Sequence, residues 1–374
     1  MKRKLSTALV MLLAFVLLLG TTAITASAAE TTYEPIGGST SFVKNLVVDA
    51  DANIPNVTFS YTIRRGTPQD ATADTIEILE SPLSGGSIGT AVFSNADTGK
   101  TINGLPSDAD RNNPTAGKKF AQKSVSISFA RGTFIKPGVY RFVITEINNN
   151  LPGVTYDSNP TRYLDVFVVA DDDNVLSVDS YVLRDSATDI GTDGAYVEEP
   201  GVKSSGYTNS LTQYDFDFSK TISGNQADKN KRFNFTLTIT AANPGTYSII
   251  ANDVTGNPTS ITVGANGTAN GTYSLTNGST VKVIGLNKGA ICTVTEDPDD
   301  YTATHSLDGA EAVSGESSGA VTLADSDHSV AFTNTRKGII PTGVIMTIAP
   351  FAIGICGFGA IIIFIICRRK RRNY

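Results

Sequence analysis

Between residues 29 and 336 the chain reads as short runs in which apolar and polar side chains alternate. These runs are rich in Val, Ile, Thr, Tyr and Phe and are separated by Gly, Asn, Asp and Pro. A period of two sends successive side chains to opposite faces, the pattern of strands with one face in a core. A sustained helical period is missing from this region, so the expected fold class is all-β. Strands this short and this evenly punctuated predict Ig-like β-sandwiches. Asp171-Asp172-Asp173-Asn174 lacks the Gly and terminal Glu of a calcium loop and reads as a hairpin turn. The Asn-Gly pairs at Asn266, Asn270 and Asn277 likewise read as turn chemistry.

A loose repeat divides this region. Phe59-Ser60-Tyr61-Thr62-Ile63 echoes Phe235-Thr236-Leu237-Thr238-Ile239, Ile144-Thr145-Glu146 echoes Val294-Thr295-Glu296, and Tyr207-Thr208-Asn209-Ser210 echoes Phe332-Thr333-Asn334-Thr335. The repeat predicts two domains, residues 29–212 and 213–336, joined by hardly any linker and stacked end to end with little freedom.

Strand parity then singles out polar residues aimed inward. Lys44 shares a face with Phe42, Leu46 and Val48, and Lys220 with Tyr214, Phe216, Phe218 and Ile222. Glu146 shares one with Tyr140, Phe142 and Ile144, and Glu296 with Cys292 and Val294. Asn209 lies between Tyr207 and Leu211, and Asn334 follows Val330 and Phe332 on the same face. Burying an isolated ammonium or carboxylate is very costly, yet each half keeps one Lys, one Glu and one Asn in such places. One reading is a partly buried Lys–Glu ion pair with an Asn hydrogen-bonded beside it. The other is chemical. Desolvation drives the Lys and Glu toward their neutral forms. The amine then attacks the Asn carboxamide carbon while the protonated acid polarises its oxygen and relays protons, ammonia leaves, and an amide ties the first strand to the last.

The two ends are different again. Residues 1–28 have the form of a secretory signal peptide: Lys2, Arg3 and Lys4, an apolar run from Leu9 to Leu19, and the small-x-small site Ala26-Ser27-Ala28. Residues 337–374 carry Ile340-Pro341-Thr342-Gly343, an apolar stretch from Val344 to Cys367 long enough to cross a bilayer, and the basic cluster Arg368-Arg369-Lys370-Arg371-Arg372. That three-part order resembles a sortase sorting signal. A transpeptidase would cleave between Thr342 and Gly343, hold Thr342 as an acyl-enzyme and pass it to an amine. The common motif is Leu-Pro-x-Thr-Gly, whereas here Pro341 directly precedes Thr342, which points to a specialised sortase.

Charge and composition narrow the function. The full chain has 30 basic and 36 acidic residues. Residues 1–28 and the segment after Thr342 hold eight of the basic residues and none of the acidic ones, leaving 22 against 36, a net charge of −14. An acidic surface argues against nucleic acid as a partner. Cys356 and Cys367 lie in the apolar stretch, so Cys292 stands alone and no internal disulfide is expected. His305 and His328 are the sole histidines, without a metal-ligand cluster, and neither a Gly-x-Ser-x-Gly elbow nor a phosphate loop occurs. The expectation is therefore a structural protein, with no enzyme activity on other molecules, no cofactor and no metal.

Several segments together resemble a known family. They are Val43-Lys44-Asn45-Leu46, Ile54-Pro55-Asn56, Lys136-Pro137-Gly138-Val139-Tyr140, Pro152-Gly153-Val154-Thr155-Tyr156-Asp157 and Asn209-Ser210-Leu211 in the first half. In the second half they are Lys220 ahead of Ile222-Ser223-Gly224, Phe233-Asn234-Phe235, Val294-Thr295-Glu296 and Phe332-Thr333-Asn334. In this order, across essentially the whole chain, they resemble the FctA-type backbone pilins, the T antigens, of Gram-positive pili. The resemblance implies two tandem Ig-like (CnaB-like) sandwiches, each with one spontaneous isopeptide bond: Lys44–Asn209 with Glu146, and Lys220–Asn334 with Glu296. It also implies a pilus-shaft subunit on the cell surface, anchored to the wall. A pilin sortase would join Thr342 of one copy to a lysine of the next, and Lys203 in Glu199-Pro200-Gly201-Val202-Lys203 occupies the corresponding place. The family's sorting signal ends Val-Pro-Thr-Gly-Val after an acidic or amide residue; here Ile339 and Ile340 hold the two leading places. The implied partners are identical subunits, the sortase, and peptidoglycan or a basal pilin, with host surface receptors as candidates for the finished fibre. A minor pilin or a monomeric wall-anchored adhesin is the alternative that the same signals allow.

Overall fold

The structure is a computed structural model and describes residues 31–97, 99–101, 117–192 and 203–338. The expected signal peptide, residues 193–202, and the expected sorting motif with its apolar stretch and basic tail lie outside the described residues. The described elements are strands, and they build two sandwiches with separate apolar cores.

In the first sandwich the opening strand, Ile36–Asp49, lies between the closing strand, Gly206–Leu211, and the long strand Lys118–Phe134. The opening and closing strands are parallel; the other neighbour is antiparallel. The facing sheet orders Leu176–Arg184, Thr161–Ala170, Gly138–Glu146 and Tyr61–Arg65, all antiparallel. Phe42, Leu46, Tyr140, Phe142, Ile144, Leu164 and Val166 meet between the sheets. Outside the second sheet, Arg141 grips Asp165 through Nε and Nη2 at 2.6 and 2.9 Å and donates to the Thr188 carbonyl oxygen at 2.6 Å. This pins the segment around Ile190 over Ile78 and Val139 as a small second core.

The second sandwich repeats the plan with one economy. Its opening strand, Gln213–Ser223, again runs parallel to its closing strand, His328–Thr335. The 20-residue strand Thr268–Asn287 serves both layers. Its first part pairs with Phe233–Thr240, and its last part with the opening strand. The change of layer occurs at Thr276-Asn277-Gly278-Ser279, where the Ser279 hydroxyl accepts from the Thr276 amide and donates to the Asp253 carbonyl. Ile291–Asp297 completes the inner sheet beside Phe233–Thr240.

The turn expectations fare unevenly. Asp171–Asn174 is a hairpin turn, with the Asp171 carboxylate accepting from the amides of Asp173 and Val175. Asn266-Gly267 is also a turn, with Gly267 at φ +72°. Asn270-Gly271 is not: both residues sit inside a strand opposite Thr238 and Leu237. The glycine there makes room for an aromatic side chain, since a Cβ on Gly271 would lie 2.5 Å from the Tyr273 hydroxyl oxygen. Asn277-Gly278 forms the corner where the long strand changes layers, and is not a hairpin.

One residue, Thr212, separates the closing strand of the first sandwich from the opening strand of the second. Its N–H donates to the Gly153 carbonyl and its own carbonyl accepts from Lys288 N. Around it, Gln213 Nε2 donates to the Gly285 carbonyl at 2.7 Å, and Asn95 exchanges two hydrogen bonds with the Thr246 backbone at 3.0 and 2.8 Å. Gly285, at φ +75°, faces Ala52 so closely that an added Cβ would fall 2.3 Å from the Ala52 Cβ.

Candidate functional site

The strongest constraint on the site is register. In the first sandwich Lys44 stands beside Tyr207, and Leu46 beside Asn209. In the second, Lys220 stands beside Phe332, and Ile222 beside Asn334. In both, the Asn sits on the neighbouring parallel strand opposite the residue two past the Lys. Both side chains therefore point to the same interior face at diagonal positions. The Glu comes from across the core. Glu146 ends Gly138–Glu146 and pairs with Tyr61, and Glu296 on Ile291–Asp297 pairs with Phe235.

The side chains converge on one oxygen in each case. Lys44 Nζ is 2.5 Å from Glu146 Oε1, and Asn209 Nδ2 donates to that same atom at 3.1 Å. Lys220 Nζ is 2.5 Å from Glu296 Oε1, and Asn334 Nδ2 donates to it at 2.7 Å. All six side chains are buried. The ammonium positions are walled by aromatic rings in matching fashion: Lys44 Nζ is 4.7 Å from the centroid of Phe59, and Lys220 Nζ 4.6 Å from that of Phe233. The counterpart of Phe59 is thus Phe233, not Phe235. The sequence echo above is offset by two residues, a slip that leaves every side chain on its proper face and so is invisible to parity.

Electrostatics push each pair toward neutrality. Burial lowers the amines of Lys44 and Lys220 to about 8, against the opposing pull of their glutamates. Burial raises the carboxyls of Glu146 and Glu296 above their usual range, against the pull of the lysines. The second carboxyl oxygen of each Glu is buried and makes no hydrogen bond among the described residues. A buried carboxylate oxygen without a donor suits the protonated acid better than the anion.

Two residues at the first site had no place in the sequence reading. Arg162 shares an inward face with Leu164, Val166 and Val168, so parity offered a signal for it. Its Nη2 donates to Asp157 Oδ2 at 3.0 Å, and its guanidinium lies 4.7 Å from the Tyr207 centroid. Asp157 places its backbone N–H 2.8 Å from Asn209 Oδ1. Asp157 closes the segment Pro152-Gly153-Val154-Thr155-Tyr156-Asp157, whose resemblance to the family implies no role for it. The second site has no such donor, and Asn334 Oδ1 is buried with no partner among the described residues.

Lys203 is far less constrained. Its side chain is exposed, and its backbone bridges Arg184 just before the closing strand begins. Ile340, Pro341, Thr342 and Gly343 lie outside the described residues. Cys292 is buried, and burial pushes its thiol up to about 12, which leaves it chemically quiet.

Comparison with known proteins places these sandwiches. Residues 214–336 match the family described as "Domain of unknown function (DUF7601)". A protein described as "Pilin", from Streptococcus pyogenes serotype M1, is 29% identical over 376 residues, covering 96% of this chain and 98% of its own. The solved major pilin of Streptococcus pyogenes superposes with a TM-score of 0.50 at 24% identity, covering 80% of this chain and 99% of that one. The T3.2 major pilin of the same species gives a TM-score of 0.50 at 19% identity, over 82% and 99% of the two chains. The structural matches speak for the fold, and the sequence match runs through both sandwiches. In sequence along nearly its whole length, and in its tandem β-sandwich fold, this chain is similar to the streptococcal pilins.

Proposed function

We propose that the chain is the shaft subunit of a covalently polymerised surface pilus, each sandwich sealed by one internal Lys–Asn amide bond. The observation that carries this reading is the pair of buried Lys, Glu and Asn sets, built twice on the same parallel register and each gathered on one carboxyl oxygen. An ion pair would need only Lys and Glu, and well-packed apolar residues would stabilise the core as well. A neutral amine beside a carboxamide and a proton-carrying acid in a dry core has the composition of an amide-forming site. Glu146 and Glu296 are the acids, and the products are Lys44–Asn209 and Lys220–Asn334. The chemistry is single-turnover and modifies the chain itself, so the protein is a structural material and not an enzyme.

Assembly follows from the two remaining features. Thr342 of one subunit is passed by a pilin sortase to Lys203 of the next. The exposed lysine beside the closing strand supports this acceptor, and having both donor and acceptor favours a propagating shaft over a terminal pilin or a lone adhesin. Such head-to-tail linkage is heterologous and does not close, so it grows a fibre. Wall anchoring of the last subunit would place the fibre on the cell surface. Intact-mass measurement of the chain expressed without its two terminal signals tests the core of the reading. The expected mass is lower than the sequence mass by two ammonias. Folded protein at the full sequence mass overturns the reading, and a deficit of one ammonia assigns an ordinary ion pair to one sandwich.

A further inference from the structure

The two sites differ at the oxygen of the carboxamide. Asn209 Oδ1 accepts from the backbone N–H of Asp157 at 2.8 Å, which fixes the amide so that Nδ2 faces Glu146. That N–H is itself held in place. Asp157 Oδ2 accepts from Thr208 N at 2.9 Å and from Arg162 Nη2 at 3.0 Å, and Asp157 Oδ1 accepts from Asn159 N at 3.0 Å. Arg162 is anchored in turn by the carbonyls of Asn159 and Gly206 and by the Ser204 hydroxyl. In the second sandwich Asn334 Oδ1 is buried with no hydrogen bond among the described residues.

We propose that the backbone N–H of Asp157 is an oxyanion donor for amide formation in the first sandwich, with the Asp157–Arg162 pair as its positioning residues. The second sandwich works without such a donor. The inference rests on the amide-forming reading above. In the step itself, Nζ of neutral Lys44 adds to Cγ of Asn209 and the carbonyl electron pair moves onto Oδ1, where the Asp157 N–H meets the developing charge. When the pair returns, the Cγ–Nδ2 bond breaks. Protonated Glu146, already in contact with Nδ2, gives that nitrogen its proton and recovers one from Nζ. Ammonia leaves, and the carboxyl ends as it began. Glu146 thus serves the leaving group and the nucleophile, while a different group serves the oxygen. In the second sandwich Glu296 is the single hydrogen-bond partner of the Asn334 side chain among the described residues, and nothing there meets the oxygen.

The test uses the chain without its two terminal signals, made in a cell-free pulse and sampled over time. Branched peptides spanning Lys44–Asn209 and Lys220–Asn334 are quantified by mass spectrometry. Asp157→Ala should slow the first bond on the order of tenfold or more, by letting the donor drift. The second bond, in the same molecules, should keep its wild-type rate. An unchanged first-bond rate overturns the proposal. A readout independent of any variant is the NMR coupling across the hydrogen bond, from the Asp157 amide nitrogen to the Asn209 Cγ, in the wild-type chain. Its presence supports the assignment and its absence overturns it, even if Asp157→Ala fails to fold. If wild-type protein yields no branched peptide from either sandwich, it is the amide-forming reading that fails.

Discussion

Replacing Glu296 with Gln keeps the size of the side chain but removes the group that exchanges protons. The second bond then fails to form, and the chain is lighter than its sequence by one ammonia instead of two. Two terms set the cost in stability. A tie from residue 220 to residue 334 closes a loop of 114 residues, and the chain-entropy value of such a loop is about 5 kcal/mol. The second term is electrostatic: Lys220 is buried against Phe233, and a buried ammonium stripped of its anion costs about 3–5 kcal/mol. Lys220→Met suffers the first loss without the second, because an apolar chain of similar length fills the space. For a sandwich of this size, 5 kcal/mol corresponds to a melting shift of about 20 °C. At neutral pH Glu296→Gln should lose nearly twice as much, comparable to the whole stability of an ordinary domain. The extra deficit has a definite pH sign. Burial holds the folded-state pKa of Lys220 below its ordinary 10.5, at about 8 even with Glu296 pulling it up. The unfolded chain therefore binds more protons across that interval, and the Gln variant gains stability as the pH climbs toward 10.5. Calorimetry of the three proteins, with intact mass on the same samples, reads both terms. A Glu296→Gln chain that still loses two ammonias, or a Lys220→Met chain that melts with wild type, would refute the reasoning.

The remaining predictions concern rate, assembly and the joint. Neutral amine with protonated acid is a tautomer of ammonium with carboxylate, so the rate of bond formation should plateau where each pair shares one proton. It should fall above about pH 8 as that proton is lost, and fall on the acid side as a second proton fixes the ammonium; a steady rise with pH would contradict the scheme. Lys203→Ala should leave secretion and ammonia loss intact while collapsing the high-mass ladder of boiled wall extracts to monomer, and an undiminished ladder means that another lysine is the acceptor. Gly285→Ala forces a Cβ to within 2.3 Å of the Ala52 Cβ and should loosen the joint between the sandwiches. Small-angle scattering would report that as a broadened distance distribution, and an unchanged profile would count against a tight joint.

Much of this arrangement was legible because strand parity is a strict rule. Lys44, Glu146 and Asn209 each sit among apolar residues two positions away, as do Lys220, Glu296 and Asn334, and a one-residue shift would have exposed them all. What parity cannot see is a shift of two, which is why Phe59 was set against Phe235 although Phe233 holds its place. Nor can it see backbone chemistry. The Asp157 N–H belongs to every non-proline residue, and its aim at Asn209 depends on how the segment after Val154–Thr155 folds back. Arg162 was within reach, as an inward charge among Leu164, Val166 and Val168. Asn270-Gly271 carries a turn signal but lies within a strand, where the missing Cβ leaves room for the Tyr273 side chain.

The parallel pairing of opening and closing strands decides how the chain would carry a load. Pulled from its ends, each sandwich is entered along one of these strands and left along the other, from opposite poles. With amide bonds at Lys44–Asn209 and Lys220–Asn334, the covalent route steps sideways from one strand to its neighbour at mid-strand. Residues 45–208 and 221–333 then hang from that route as closed loops under no tension. At about 3.4 Å per residue they hold roughly 560 and 380 Å of contour that no force short of bond rupture can pay out. What remains in line is a few strand segments and Thr212, itself hydrogen-bonded on both sides. In a fibre joined at Lys203 and Thr342 the load instead enters the first sandwich just before its closing strand, runs through Thr212 into the second, and leaves the Lys220–Asn334 amide to fix the length of each unit.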